Sequence, residues 1–454
     1  MAAAQTANSI DIGNLAACTE DARLSAVDQD PGPADPTDYA ELQTRLLDSR
    51  SKLPPLYRHT MHDPFAATLV QMGPRWFNWL LLTDPSGEGS AGLMFDIAHS
   101  ILQNGEGHQE RATDAFQEVV TDLYDGYLSE SDRQGIKPPD LGAVPPLVKW
   151  GNPDFGPYTW PVDATKMFDV GAGVVSLPPA HARAGLLAWG ALGHETAGHD
   201  ILHADIGLDE ELAEAVFDAI NDQNLGRGLA RYWASRIDES ASDVLGILNM
   251  GPAAGIGLIG YFRGLNVAFG DEARLRNEGS IQDPHPADIL RGYLAAATVR
   301  LLSFDGAAAW ALMIENETNA DLSLIRIGRF PVDTGMARQS AAVVAQTVVR
   351  HELASLENHA LGEIQDWRNR DEEIVGNLRP LLRTTEPLPT SLGEGIYAAH
   401  VVAAAIVEGL SDGANIPLSF ERMIGLLKLM HDTNPSWGPL YVAHPADRSA
   451  SKFY

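Results

Sequence analysis

Apolar residues recur along most of the chain at intervals of three and four, the spacing of helices with one buried face. Over residues 112–128, Phe116, Val119, Val120, Leu123 and Tyr127 share such a face. The same spacing predicts mostly helix from 39 to 129, and helices over 182–204, 210–220, 228–248 and 286–302. Residues 305–430 also read as mainly helical, with breaks near Pro331 and between Pro380 and Pro389, and with 413–417 separating two late helices. One short run, 172–177, reads as a strand, stopped at Pro178 and Pro179 because proline cannot donate to a ladder. The predicted fold is mainly α with a small β-sheet.

Composition divides the chain further. Residues 1–37 are small, polar and acidic and end in a proline-rich stretch, which predicts a flexible N-terminal arm. Residues 38–145 form a helical N-terminal region, 146–304 a catalytic core, and 305–454 a helical C-terminal region with a loop-like tail from 435. The passage 135–156 is rich in proline and glycine, irregular backbone of the kind that lines sites. The glycines of 251–257 read as close helix packing or a turn; no lysine follows them, so they are not a phosphate loop. The most apolar windows, 251–261 and 398–406, fall short of the roughly 20 residues of a membrane span.

The 454 residues carry a formal charge of −29, which argues against a nucleic-acid binder and against docking on anionic lipid. The single cysteine, Cys18, excludes an internal disulfide and a cysteine zinc site, and its place in the arm makes it a poor nucleophile. The first residues lack the basic start and apolar stretch of a signal peptide, so a cytoplasmic protein is expected.

The chemistry concentrates at residues 193–205, where His194, Glu195, His199 and His203 crowd one predicted helix. Neutral imidazole and carboxylate suit zinc, and a carboxylate beside a ligand can take a proton from water. His194 and His199 are five apart, about 140° around a regular helix, so sharing a metal requires a bulge. Gly198 would ease it. The rival pair, His199 with His203, is four apart and needs no bulge, with Asp200 nearby. Downstream, Glu239 and Asp243 share a helix face, so Glu239 could bind metal while Asp243 holds a ligand imidazole from behind. His351-Glu352 is a decoy without the other ligands.

The His-Glu-x-x-Gly-His segment, followed by Asp238-Glu239 and Asp243, resembles the gluzincin metallopeptidases, and its six-residue form resembles dipeptidyl peptidase III. A looser likeness to HtpX-type peptidases adds His285-Pro286 and Arg291. The resemblance covers residues 170–300. It implies a zincin-like pair of metal-binding helices, with His194, His199 and Glu239 on Zn2+ and Glu195 as the base. His285 and Arg291 would border the site, and oxyanion donors would come from these two or from Tyr261, Tyr293 and Tyr158. The run 156–161 could form a substrate wall, and His444-Pro445 with Arg448 echoes the His285 segment.

The expected function is a soluble zinc metallopeptidase acting on a peptide or small amide. The alternatives are a metal-dependent amidase or biosynthetic tailoring enzyme, and a non-catalytic metal-containing scaffold.

Overall fold

Apolar spacing turns into helix over most of the chain. In the computed structural model, residues 10–128, 133, 135–141, 144–270, 272–393 and 395–438 are described. The chain passes through α1 (Leu15–Ala26), α2 (Tyr39–Ser49), α3 (Asp63–Thr83), α4 (Ser90–Glu106) and α5 (Glu110–Leu128), then β1 (Leu147–Trp150), β2 (Tyr158–Trp160) and β3 (Val174–Leu177). Next come α6 (Leu186–Leu192), α7 (Leu208–Asp222), α8 (Arg227–Ala234), α9 (Ile237–Phe269), β4 (Glu278–Gly279), α10 (Asp288–Leu301) and α11 (Ala307–Ala320). Strands β5 (Arg326–Ile327) and β6 (Phe330–Pro331) precede α12 (Thr334–Arg350), α13 (Asn369–Arg383), α14 (Ala398–Leu410) and α15 (Ile416–His431), with single turns between some elements. The fold is mainly α with two small three-stranded sheets.

The first sheet has the order β1-β3-β2, with β1 parallel and β2 antiparallel to β3. Successive side chains point to opposite faces. Leu147 and Val174 join a core built with α2, α3 and α4, whereas Val148, Trp150, Val175 and Leu177 join the larger core on the other side. That larger core takes residues from Leu15 to Leu427 and so crosses the boundary expected at 304. The smaller one runs from Leu42 to Val174 and crosses the boundary expected at 145.

Several elements differ from the sequence pattern. The stretch 182–204 is not one helix but α6, a π-helical turn at Gly193–Gly198 and a 3-10 turn at Ile201–Ala204. The stretch 228–248 breaks at Ser235 and Arg236 between α8 and α9. Pro380 lies inside the last turn of α13. The expected arm contains a buried helix instead: Leu15, Cys18 and Ala22 of α1 pack into the larger core. Space for α1 comes from small residues on α9, since a Cβ at Gly264 would lie 2.7 Å from the Ala22 Cβ and 2.9 Å from the Thr19 carbonyl oxygen.

The windows that seemed too short to span a bilayer include part of α9, whose 33 residues suffice by length and composition. Its apolar window is 94% buried, so that surface is spent on the protein's own core. α9 kinks at Gly251, where φ is +60° and Pro252 follows without a donor. The kink separates a first half that carries Glu239 from a second half that lies along a cleft.

Cys18 donates to the Gly409 carbonyl of α14 at 3.3 Å, and burial pushes its thiol up to about 12. At about pH 8.5, where an ordinary thiol is half ionised, a thiol reagent should leave Cys18 untouched in the native protein. It should label Cys18 fully after denaturation. Rapid native labelling would mean that α1 is not docked.

Candidate metal centre

Two elements build the site. The π-helical turn at Gly193–Gly198 follows α6 directly, and its signature is the bond from the His199 amide to the His194 carbonyl, five residues back, at 3.4 Å. The added residue per turn brings both imidazoles to one side, with their Nε2 atoms 3.1 Å apart. The distortion sits where the five-residue spacing demands it. Gly198 serves packing: a Cβ there would overlap the Cα and Cβ of Ser242 on α9.

The first turn of α9 supplies the carboxylate. Glu239 Oε2 is 3.4 Å from His194 Nε2, and Glu239 Oε1 is 3.6 Å from His199 Nε2. One ligand atom each from His194, His199 and Glu239 fall within 4.8 Å of one another, so this buried group could hold a metal ion. The donors fit a cation on independent grounds. Among the described residues, buried Glu239 Oε2 has no hydrogen-bond partner, a costly state for a charged oxygen, and two ring nitrogens converge on the same point.

Each imidazole is held from behind. His194 Nδ1 meets Asp243 Oδ1 at 2.9 Å, the supporting role expected for Asp243. His199 Nδ1 meets Asp238 Oδ2 at 2.9 Å, and His203 Nε2 approaches the other oxygen of Asp238 at 3.3 Å. His203 therefore supports a supporting residue and is not in the ligand group. Such bonds fix the tautomer so that Nε2 presents its lone pair.

Burial opposes charge on His194, yet Asp243 and Glu239 raise its pKa to about 10. Burial likewise opposes charge on Glu239, but His194 and Arg291 hold its carboxyl far below the usual range. A proton and a metal thus compete for the same buried nitrogen.

Arg291 on α10 gives Nε and Nη2 to Asp243 at 2.7 and 2.6 Å, with Nη1 3.8 Å from Glu239 Oε2. Its geometry is that of a positioning residue behind the ligands. His285 is half-exposed and places Nε2 3.2 Å from Glu239 Oε1. Both line the cleft that also contains His194, Glu195 and buried Tyr261. Tyr293 and Tyr158 are engaged elsewhere, with Asn319 and Asp96 respectively, each hydroxyl donating.

Glu195 is buried and accepts from the Thr159 hydroxyl at 2.9 Å on Oε2. Strand alternation makes this contact possible. Tyr158 and Trp160 both donate to Asp96 Oδ2 at 2.7 Å, on one side of β2, and Lys149 pairs with the same carboxylate. Thr159 between them must face the other way, toward Glu195. The run 156–161 thus divides: Gly156 and Pro157 line the cleft, while Tyr158 and Trp160 pin the strand.

Thr159 was legible only as part of that run. His181, a buried imidazole on the cleft whose pKa burial lowers to about 4, carried no sequence signal. His351 and Glu352 are exposed beyond the end of α12. The segment with His444, Pro445 and Arg448 lies outside the described residues.

No family model, no curated protein and no solved structure matches this chain.

Two outcomes are expected. The protein should bind about one divalent metal per chain by elemental analysis after dialysis, and His194→Ala/His199→Ala should bind none. Asp243→Asn and Asp238→Asn should each weaken metal affinity by about 10- to 100-fold in a chelator competition. Separately, Gly198→Ala should lower stability by about 1–3 kcal/mol, as overpacking does, and reduce metal retention. An unchanged melting temperature would show that the two elements do not need their close approach.

Proposed function

We propose that this protein is a zinc-dependent hydrolase that cleaves peptide bonds, in keeping with the gluzincin resemblance of its His194–His199 segment. One observation carries the reading. The buried group of His194, His199 and Glu239 reaches a cleft through His194, and Glu195, a carboxylate outside that group, lines the same cleft. Two imidazoles and one carboxylate are a zinc-type set that leaves a position for water. When bound, zinc supplies a Lewis acid and makes water acidic near neutral pH.

The chain's own groups do the rest. Glu195 takes a proton from the attacking water on its carboxylate and returns it to the leaving amine. Thr159 orients that carboxylate through Oε2. Asp243 and Asp238 keep the proton of each imidazole on Nδ1. Arg291 holds Asp243 in place. Tyr261 and His285 border the cleft as donors for the scissile carbonyl oxygen.

The cleft volume, about 1000 Å³, is at the top of the range for small-molecule sites and admits a short peptide as well as a small amide. An amidase or tailoring enzyme would be better served by a closed pocket, and a scaffold would use Glu195 only for its bond to Thr159. A cytoplasmic location belongs to the same proposal, supported by a lone buried thiol in place of disulfides.

Paired substitutions test it. Glu195→Gln should keep metal and fold while peptide hydrolysis falls by about 10²- to 10⁴-fold, the range for a general base. Glu239→Gln should lose metal. Undiminished turnover in Glu195→Gln would remove the base assignment. A metal-loaded parent that cleaves no member of a peptide library would favour the scaffold or tailoring reading.

A further inference from the structure

We propose that the cleft selects substrates with an apolar group beside the scissile amide and a carboxylate about two residues further along. Arg276 and Arg326 receive that carboxylate. The proposal rests on the hydrolase reading for the position of the scissile bond.

The apolar half of the site is the second half of α9. Leu258, Phe262, Leu265 and Phe269 recur at three- and four-residue intervals and all line the cleft. Phe269 is 70% exposed and Leu324, also on the cleft, is 55% exposed. Large apolar side chains that line a concave surface and remain in water favour an apolar occupant. The stripe begins beside the ligands, because the Arg291 guanidinium lies 4.5 Å from the centre of the Phe262 ring.

The anionic half is the rim formed by the second small sheet and the segment leading into it. Arg276 precedes β4, and Arg326 lies on β5 opposite Glu278. The Arg276 side chain is 56% exposed, yet its Nε and Nη2 are fixed on the buried carboxylate of Asp288 at 3.0 and 2.9 Å. It therefore presents a guanidinium whose direction is set before anything binds, which lowers the entropy cost of recognition. Among the described residues Arg326 pairs with the exposed Glu278 at 3.7 Å, a contact weak enough to be exchanged for a substrate carboxylate. Arg274, on the same cleft, is paired with Glu272 and is not assigned a role. In a chain of formal charge −29, the cleft lining is balanced, with Arg274, Arg276, Arg291 and Arg326 against Asp154, Glu195, Glu272 and Glu278, so it repels an anion less than the chain as a whole does.

The two-residue register belongs to the proposal and is taken from spacing along α9. Asn266, one turn beyond Phe262, donates to Asp288, the anchor of Arg276, at 2.7 Å. Four residues of helix rise about 6 Å, and two residues of extended peptide cover about 6.6 Å. The carboxylate can belong to an acidic side chain or to a peptide C-terminus.

The experiment uses the full chain loaded with zinc and a matched set of fluorescent peptides. Each has Phe at the scissile position, Glu or Gln two residues further, and a free or amidated C-terminus at that second residue. Binding is read by anisotropy on the Glu195→Gln protein, and kcat/KM on the parent. Peptides with a carboxylate should bind at least about tenfold tighter than the Gln amide, as charge-assisted pairing gives. The Glu and C-terminal arms identify its source. Arg276→Gln and Arg326→Gln should each shrink that preference, and Arg276→Glu should turn it toward a Lys peptide.

Because Arg276→Gln removes the charged partner of a buried carboxylate, which keeps the Asn266 amide as a donor, its melting temperature is recorded. Arg326→Gln, whose partner is exposed, keeps the test open if the first variant does not fold. Equal binding of charged and neutral peptides, or an intact preference in Arg326→Gln and folded Arg276 variants, would overturn the proposal. A preference in binding with no turnover anywhere would instead retire the hydrolase reading and leave the cleft assignment standing.

Discussion

The site depends on a backbone-to-backbone approach between the turn that carries both histidines and the first turns of α9. Three glycines permit it. Gly198 meets Ser242 where no Cβ would fit, and Gly193 and Gly246 lie against each other, so that a Cβ on either would stand 3.1 Å from the other strand of the contact. Only at that separation can Glu239 reach both imidazoles. The π-helical bond rotates His194 and His199 onto one side, and the glycine contact brings that side to the carboxylate.

Around this contact, charge alternates. Glu239 faces the imidazoles, His194 backs onto Asp243, Asp243 is clamped by Arg291, and Arg291 rests on the Phe262 ring. Each buried charge has an opposite neighbour, as low-dielectric surroundings require. The oxygen left over is Glu239 Oε2, in the middle of the ligand group. The arrangement holds the ligands in position through residues that do not themselves face the convergence point, which leaves the first turn of α9 with two tasks on adjacent residues. Asp238 orients His199, and Glu239 completes the group.

The helical content was legible because amphipathic spacing is a local property, and α5, α7 and α10 lie close to where that spacing put them. The two histidines of the candidate group were legible because they cluster in sequence, Glu239 because it shares an acidic helix face with Asp243 further on, and the five-residue interval itself called for a bulge. Other features depend on partners distant in the chain. The polar composition around α1 resembles a linker, and the signal for its docking lies in Gly264, more than two hundred residues later. Thr159 reaches Glu195 because Asp96 captures its two neighbours, a constraint invisible in the sequence around β2. Arg291 read as an oxyanion donor; Asp243 takes its Nε and Nη2, and Nη1 stands 3.8 Å from Glu239 Oε2.

The docking of α1 also bears on how the chain acquires this structure during synthesis. Its contacts are with α6, α9 and α14, so Leu15 and Cys18 emerge long before Gly264 and Gly409 exist. At ribosomal rates of about 5–20 residues per second, this helix waits on the order of tens of seconds for its seat. Throughout that interval a weakly amphipathic segment must remain unpaired. Its small, polar and acidic composition, which looks like a linker, also keeps it from seeking another apolar surface before the proper one appears.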